Sequence, residues 1–264
     1  MSSRDLKRIA RERLFTKLGP LAGATAIYGA IYIFIGIAIL MAFSLNLLSN
    51  GVFASIEVME DYVTRMGSSL SFYLKTEGTF YVVGAIMSTV SVAIMYMALK
   101  VARGQDVKIS DISYVVKNNP DKVIIIFTIQ TLLTFLVSVP QNIIAMYTVG
   151  VESVVIDIAY YGFMFFSYIA DIYIVVMFSQ AMFLFIDDPQ ESPYRCIELS
   201  SRVMTKNFGR YFILVLSFLP LMIIAMFSFG LLYLWVLPYQ YTTYALFYMQ
   251  LKGELGSTID VTIQ

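Results

Sequence analysis

The run VVIDIAYYGFMFFSYIADIYIVVMFSQAMFLFI, residues 154–186, is almost wholly apolar and carries the ionisable Asp171 in its interior. About 20 apolar residues in a helix cross the ~30 Å hydrocarbon core of a bilayer, so this run spans one with length to spare. At ~1.5 Å per residue, Asp171 lies about 22 Å from Ile186, within the hydrocarbon, whereas Asp157 lies about 44 Å away and reaches water. A charged group at such depth costs roughly 2.5 to 3.5 kcal/mol on insertion scales, so Asp171 needs a reason to be there.

Composition agrees with a membrane address. Of 264 residues, 59% are apolar and only 14% charged, where soluble domains sit nearer 45–50% and about 25%; the mean hydropathy is +0.75. The polar segments are too short for a soluble domain, which predicts a single integral membrane domain over residues 1–264. One cysteine, Cys196, and no histidine leave no disulfide framework, no metal cluster and no cofactor to expect. A formal net charge of zero gives no basic surface for nucleic acid.

Residues 1–19 hold six basic residues, with Leu6, Ile9, Ala10, Leu14 and Leu18 at helical spacing behind Ser3 as a cap. This predicts a basic amphipathic helix on the membrane surface, with Arg4, Lys7, Arg8 and Arg11 as candidate contacts to lipid headgroups. The plainer reading is a topogenic helix that keeps the N-terminus inside. It is not a cleavable signal, because the following apolar run is too long and lacks a cleavage site.

Six spans follow, at about 21–48, 80–101, 123–147, 154–186, 211–229 and 231–251. Gly23, Gly29 and Gly36 suit close helix approach in the first. Residues 49–78 read as an interfacial helix with Glu57, Glu60 and Asp61 on its polar side, or as a plain connector. A short helix capped by Ser110 precedes the third span, in which Pro140 frees the carbonyl of Leu136 beside Gln141 and Asn142. The stretch PYRCIELSSRVMTK, led by Ser192 and Pro193, reads as a separate amphipathic helix ending near Asn207 and Gly209. Sixteen basic residues fall on the cytoplasmic side of this topology and only Arg65 and Lys75 outside it, which predicts both termini in the cytoplasm of a plasma-membrane protein. Three entries, ERLFTKLGPLAG, SYVVKNNPDKVI and RVMTKNFGRYFI, also fit a threefold repeat of helical hairpins. The fold expectation is thus an all-α, polytopic membrane helical bundle.

Local motifs point the same way. Trp235, Pro238, Tyr239, Thr243, Phe247 and Tyr248 form a W-x-x-P-Y-x-x-x-T-x-x-x-F-Y ending, and Ala102, Arg103, Gly104, Val107 and Asp111 form a second cluster. With Ala10, Arg11 and Leu14, with Asp188 and Pro189, with Ser201 and Met204, and with Leu216, Ser217 and Phe218, they give a chain that resembles a bacterial family known as domain of unknown function 975. The chain departs from that pattern at Tyr161 and Gly162, where Pro-Gly is expected, and at Leu221, where tryptophan is frequent. The resemblance implies a polytopic membrane protein and carries no settled activity.

Candidate function then rests on polar residues at depth. The ruler that places Asp171 puts Ser138 level with it on the third span, Ser88 and Thr89 on the second, Tyr32 on the first, and Trp235 and Tyr239 on the sixth. Asp171 reads either as a proton, cation or amine site, or as a protonated donor that ties helices together through Ser138 or a tyrosine. Tyr239, Thr243 and Tyr248, beside a proline that frees the carbonyl of Leu234, are candidates to line a polar cavity, although interfacial tyrosines are ordinary. Enzyme readings do poorly: there is no H-E-x-x-H, no G-x-S-x-G and no Gly-rich nucleotide loop. Asp157 and Asp171 lie about 21 Å apart on one helix, too far to share a proton. Two classes remain. The first is a small-molecule, lipid or ion transport or export component with a cavity near Asp171. The second is a non-catalytic membrane factor, such as a lipid-binding organiser, an assembly partner or an immunity protein against a membrane-active toxin. Membrane lipids and other membrane subunits are the expected partners. A wet cavity reaching Asp171 would favour the first class, and a packed interior with a lateral groove the second.

Overall fold

A computed structural model describes residues 1–148, 151 and 153–255, and the described residues are helical with no strand. The helices in chain order are α1 (Ser3–Phe15), α2 (Leu18–Ser49), α3 (Ile56–Gly67), α4 (Leu70–Ala102), α5 (Tyr114–Lys117), α6 (Pro120–Tyr147), α7 (Val154–Phe178), α8 (Ala181–Asp187), α9 (Pro193–Leu216), α10 (Leu219–Phe227) and α11 (Tyr233–Leu251). Five stretches have the length and apolarity to cross a membrane: Leu18–Ser49, Leu70–Ala102, Pro120–Tyr147, Val154–Asp187 and Pro193–Phe227. The segment expected as a sixth span is α11, and it is buried along most of its length, from Pro238 to Gln240 and again from Thr242 to Met249.

The chain forms two compact units. Unit 1 comprises Met1–Ala30, Met87–Phe127 and Val176–Gln264, and unit 2 comprises Ile31–Ile86 and Thr128–Val175. In unit 1, α1 packs on α11, α8 on α9 and α10 on α11. The apolar stripe Leu6, Ala10 and Leu14 is almost fully buried, which corrects the expectation of a helix laid with that stripe on the lipid. Its N-cap is Ser2, not Ser3: the Ser2 hydroxyl accepts from the Asp5 amide at 3.3 Å and the Asp5 carboxylate accepts from the Ser2 amide at 2.9 Å. In unit 2, α6 is tied to α4 by Tyr81 and Thr128 at 2.9 Å, and to α7 by the Ser167 hydroxyl, which donates to the carbonyl of Val137 at 3.0 Å.

Several boundaries differ from the sequence reading, each for a local reason. The helix α4 begins at Leu70 rather than near residue 80, because the Ser69 hydroxyl caps it by accepting from the Phe72 amide at 3.2 Å. Helix α9 runs straight through Asn207 and Gly209. Asn207 turns its amide back to the Val203 carbonyl at 3.0 Å, and one glycine costs a helix only about 1 kcal/mol. The interruption comes instead at Ser217 and Phe218, where Pro220 has no N–H for the carbonyl of Leu216. The fourth span is broken at Ser179 and Gln180. There the buried Ser200 hydroxyl of α9 donates to the Met177 carbonyl and accepts from the Gln180 amide. Ser110 does not cap its segment: a 3-10 turn, Ile109–Ser113, is held by Asp111, which accepts from the Lys108 amide at 3.0 Å and from Lys100 at 2.7 Å. Among the three glycines of α2 singled out for close approach, a Cβ at Gly23 would meet Ile109 at 3.5 Å, whereas at Gly29 and Gly36 it would meet nothing within 4 Å.

Two stability measurements test this packing. Leu14→Ala removes a fully buried side chain from the packed face of α1 and is expected to cost about 2–5 kcal/mol, read as a lowered Tm in detergent. Burial pushes the Asp111 carboxyl up, but Lys100 and the Lys108 amide outweigh it and hold the pKa below the ordinary value. A depressed folded pKa makes this contribution complete above the unfolded value of about 3.9 and lost as pH falls further. The Tm difference between wild type and Asp111→Asn is therefore expected to be flat above pH ~5 and to shrink below pH ~4.

Candidate functional site: a lateral groove between α4 and α6

The residues singled out from sequence fall in different units: Asp171 and Ser138 in unit 2, Tyr239, Thr243 and Tyr248 in unit 1. In unit 1, Thr243 is fully buried and donates to the Tyr239 carbonyl at 2.7 Å, and Thr242 does the same to Pro238 at 2.7 Å. Both hydroxyls are satisfied within their own helix. The Tyr239 ring is buried against Phe218 and Trp235, with centroids 5.2 and 5.1 Å away. The Tyr248 hydroxyl donates to Asp187 at 2.6 Å.

Asp187 is the hub of unit 1. It accepts from Tyr248, from Arg103 at 2.8 and 3.0 Å, and from Lys252 at 2.6 Å, with 13% of its side chain exposed. Arg103 also reaches Glu254 through two nitrogens at 3.0 and 3.1 Å. Burial draws the Lys252 ammonium's pKa down, but Asp187 and Glu254 outweigh it and hold it above the ordinary value. Arg103 is balanced likewise. The cluster can hold helix ends together, and with all its ions paired it offers no free base or nucleophile. Among the predicted headgroup contacts, Arg4, Arg8 and Arg11 are exposed, while Lys7 donates to the Ser217 carbonyl at 2.8 Å and lies 4.0 Å from the Phe218 ring centroid.

In unit 2 the Ser167–Val137 bond sets the register of α7 against α6. Four residues on, Asp171 lies level with about Leu133, so Ser138 is displaced by about 7 Å along the axis. Ser138 donates instead to the Phe135 carbonyl at 2.9 Å and accepts from Asn142 at 3.2 Å. Asn142 also donates to Tyr73 at 2.9 Å, so its amide is taken up by Tyr73 and Ser138 rather than by the Leu136 carbonyl that Pro140 frees. Asp171 is half-buried, and its Oδ1 is buried with no hydrogen-bond partner among the described residues.

A groove of about 290 Å³ lies between α4 and α6, within unit 2. Leu74, Leu132 and Phe135 make its apolar wall, and Glu77, Tyr81, Thr128 and Thr131 supply polar groups along it. The Tyr81–Thr128 bond joins its two walls. Gly78 forms part of the lining, and a Cβ there would meet nothing within 4 Å. This glycine lets no helix come close; its missing side chain keeps the groove open. Sequence reading missed the groove because it placed Glu77 and Gly78 outside the second span, in a segment read as an interfacial helix or a connector, and the one available signal was an acid and a glycine next to the apolar run FYVVGAIM.

The residues that match the family pattern, from Ala10 to Tyr248, lie in unit 1, and several are the ones just described: Arg103, Asp111, Ser217, Phe218, Tyr239, Thr243 and Tyr248. The family of proteins of unknown function DUF975 matches residues 1–254. The chain belongs to the DUF975 family. No curated protein and no solved structure matches this DUF975 protein.

Replacing the hub tests its structural role. Asp187→Asn leaves Arg103 and Lys252 short of a carboxylate, and the loss is expected to fall below the ~3–5 kcal/mol of a fully buried pair, because both cations are partly exposed. A Tm unchanged by this substitution would mean that the cluster does not hold unit 1 together.

Proposed function

We propose that this DUF975 protein is a non-catalytic, multi-pass membrane protein that takes an amphiphile laterally into the groove between α4 and α6. The observation that carries the reading is the lining of that groove: a predominantly apolar wall for a hydrocarbon or aryl tail, beside the carboxylate of Glu77 and the Thr131 hydroxyl for a head group that donates hydrogen bonds. Its volume sits near the lower end of the ~300–1,000 Å³ common for small-molecule sites. A groove between two helices opens to lipid at its side, so a ligand enters from the bilayer without crossing it. The composition supports a binding role over an enzymatic one, since the chain has no histidine and its cysteine is buried.

The transport or export reading keeps one specific observation in its favour, the buried and unpartnered Oδ1 of Asp171. Asp171 does not line the groove. The two readings therefore separate by substitution.

The proposal includes a plasma-membrane location, α11 as a sixth crossing and both termini inside. Charge distribution supports it. Sixteen of the 18 basic residues fall within the bounds of unit 1, and only Arg65 and Lys75 outside it; with eleven of the 18 acids in unit 1, its net charge is +5 and that of unit 2 is −5.

Native mass spectrometry of the purified protein is expected to show a retained lipid or small amphiphile on wild type and to lose it on Gly78→Leu. The same variant keeps or raises Tm, because leucine is the better helix former by up to ~1 kcal/mol. Equal retention by both proteins would remove the groove from the argument. In liposomes, Asp171→Asn is expected to leave flux of candidate substrates unchanged; abolished flux would restore transport as the first reading. For orientation, cysteines placed at Glu57 and at Lys206 are expected to react with an impermeant reagent on intact cells only at Glu57. Labelling at Lys206 would reverse the topology.

A further inference from the structure

Helix α3 belongs to unit 2 and has no buried residue along its length. Its apolar positions divide at helical spacing into two flanks. Val58, Tyr62 and Met66 form one, which faces a cleft of about 220 Å³ shared with Asn50, Ser69 and Phe72 of its own unit, and the Tyr62 hydroxyl donates to Asn46. Ile56, Met59 and Val63 form the other. They are 72, 42 and 61% exposed, and Phe53 and Leu70 extend exposed apolar surface at the two ends of the helix.

The polar face of the same helix is acidic. Glu57, Glu60 and Asp61 stand against Arg65, and Arg65 is paired with Asp61 one turn away. Glu57 and Glu60 are left to set the field beside the stripe, in a unit whose net charge is −5. This composition is the reverse of a helix that rests on lipid. Interfacial helices carry lysine and arginine on the polar face and gain from anionic headgroups, whereas two free carboxylates are repelled by them. A partner with apolar residues at helical intervals and a cationic flank would cover the stripe and neutralise the acids together, in the way an amphipathic helix lays its apolar face against an apolar strip.

We propose that the stripe Ile56–Met59–Val63, bordered by Glu57 and Glu60, is a docking surface for a cationic amphipathic peptide helix. The surface is separate from the groove between α4 and α6 and stands whether or not that groove holds an amphiphile.

The test uses the full chain in nanodiscs of phosphatidylcholine and a fluorescent Leu/Lys peptide of about 18 residues, five helical turns, read by anisotropy. Binding is expected to be about tenfold or more tighter than to empty nanodiscs, and to weaken several-fold as salt rises from ~0.05 to ~0.5 M. The double variant Glu57→Lys with Glu60→Lys is expected to fall to the level of empty nanodiscs, as is Ile56→Ser with Val63→Ser. Circular dichroism and Tm confirm that each remains folded, and all four positions are exposed. A Leu/Glu peptide of the same length is expected not to bind above the empty-disc level. Equal affinity for empty and loaded nanodiscs, equal binding of the Leu/Glu peptide, or no effect of the charge reversal overturns the proposal. A Val63→Trp variant quenched by brominated lipid, with peptide binding no better than to empty discs, assigns the stripe to the lipid surface instead.

Discussion

An apolar helix that stops away from water leaves carbonyls that hydrocarbon will not satisfy, and several interruptions in unit 1 are closed by a side chain carried on another element. Ser200 of α9 serves the break between α7 and α8, and Lys7 of α1 reaches the Ser217 carbonyl between α9 and α10. Lys122, at the start of α6, donates to the carbonyls of Pro189, Gln190 and Glu191 at 2.9, 2.9 and 3.1 Å. Lys17 does the same for Gly104 and Gln105, both at 2.7 Å, and pairs with Asp106 at 3.1 Å. A lysine in such a place acts as a compact cation with three donors. Burial pushes the Lys7 pKa down, and the neighbouring Phe218 ring returns part of that cost through a cation–π contact. Breaks and closures are therefore coupled: moving α1 or α6 alone strands an ammonium, and moving α9 alone frees the Met177 carbonyl.

This changes what the basic residues mean. A positive-inside count treats every lysine and arginine alike, as a vote on orientation. In unit 1 many of them also have fixed internal partners, and the Arg103, Lys252, Asp187 and Glu254 group is the densest case. Unit 2 has few ions, and its described ion pair is Arg65 with Asp61. Its acids at Glu57, Glu60 and Glu77 stand beside apolar surface rather than in a lock. The formal charge of zero hides both facts, since it adds a basic, internally paired unit to an acidic one.

Much of the class was legible because hydropathy and helical period act locally: the apolar runs, the amphipathic start, and Pro193 opening α9 were all visible as residues in a row. What was not legible depended on pairs far apart in the chain. Asn207 and Gly209 look like a stop, but a helix ends only where its bonds fail, and here that is at Pro220. Ser200 and Ser167 give no sign in sequence that they will mend or join helices, because a serine in a helix is unremarkable until its partner is known. Depth measured from one helix end misplaced Ser138 relative to Asp171, since the ruler assumes that all spans start level, and the Ser167–Val137 bond shows an offset of more than a turn.

The tyrosine-rich face of α11 carries the most recognisable motif of the chain and yet leaves little room for chemistry. Tyr239, Thr243, Phe247 and Tyr248 are buried, the Thr243 and Tyr248 hydroxyls turn to backbone and to Asp187, and Tyr211 packs its ring against Tyr244 and Phe247 at 5.3 and 5.2 Å. A surface that must meet a ligand has to keep some apolar area and some charge unpaired, and a core that must hold broken helices together can keep neither. These demands conflict within one set of residues. Unit 1, where the motifs of α11 and its neighbours lie, meets the second demand; under the two proposals the open Gly78, the carboxylate of Glu77 and the exposed stripe of α3 meet the first, and all three lie in unit 2.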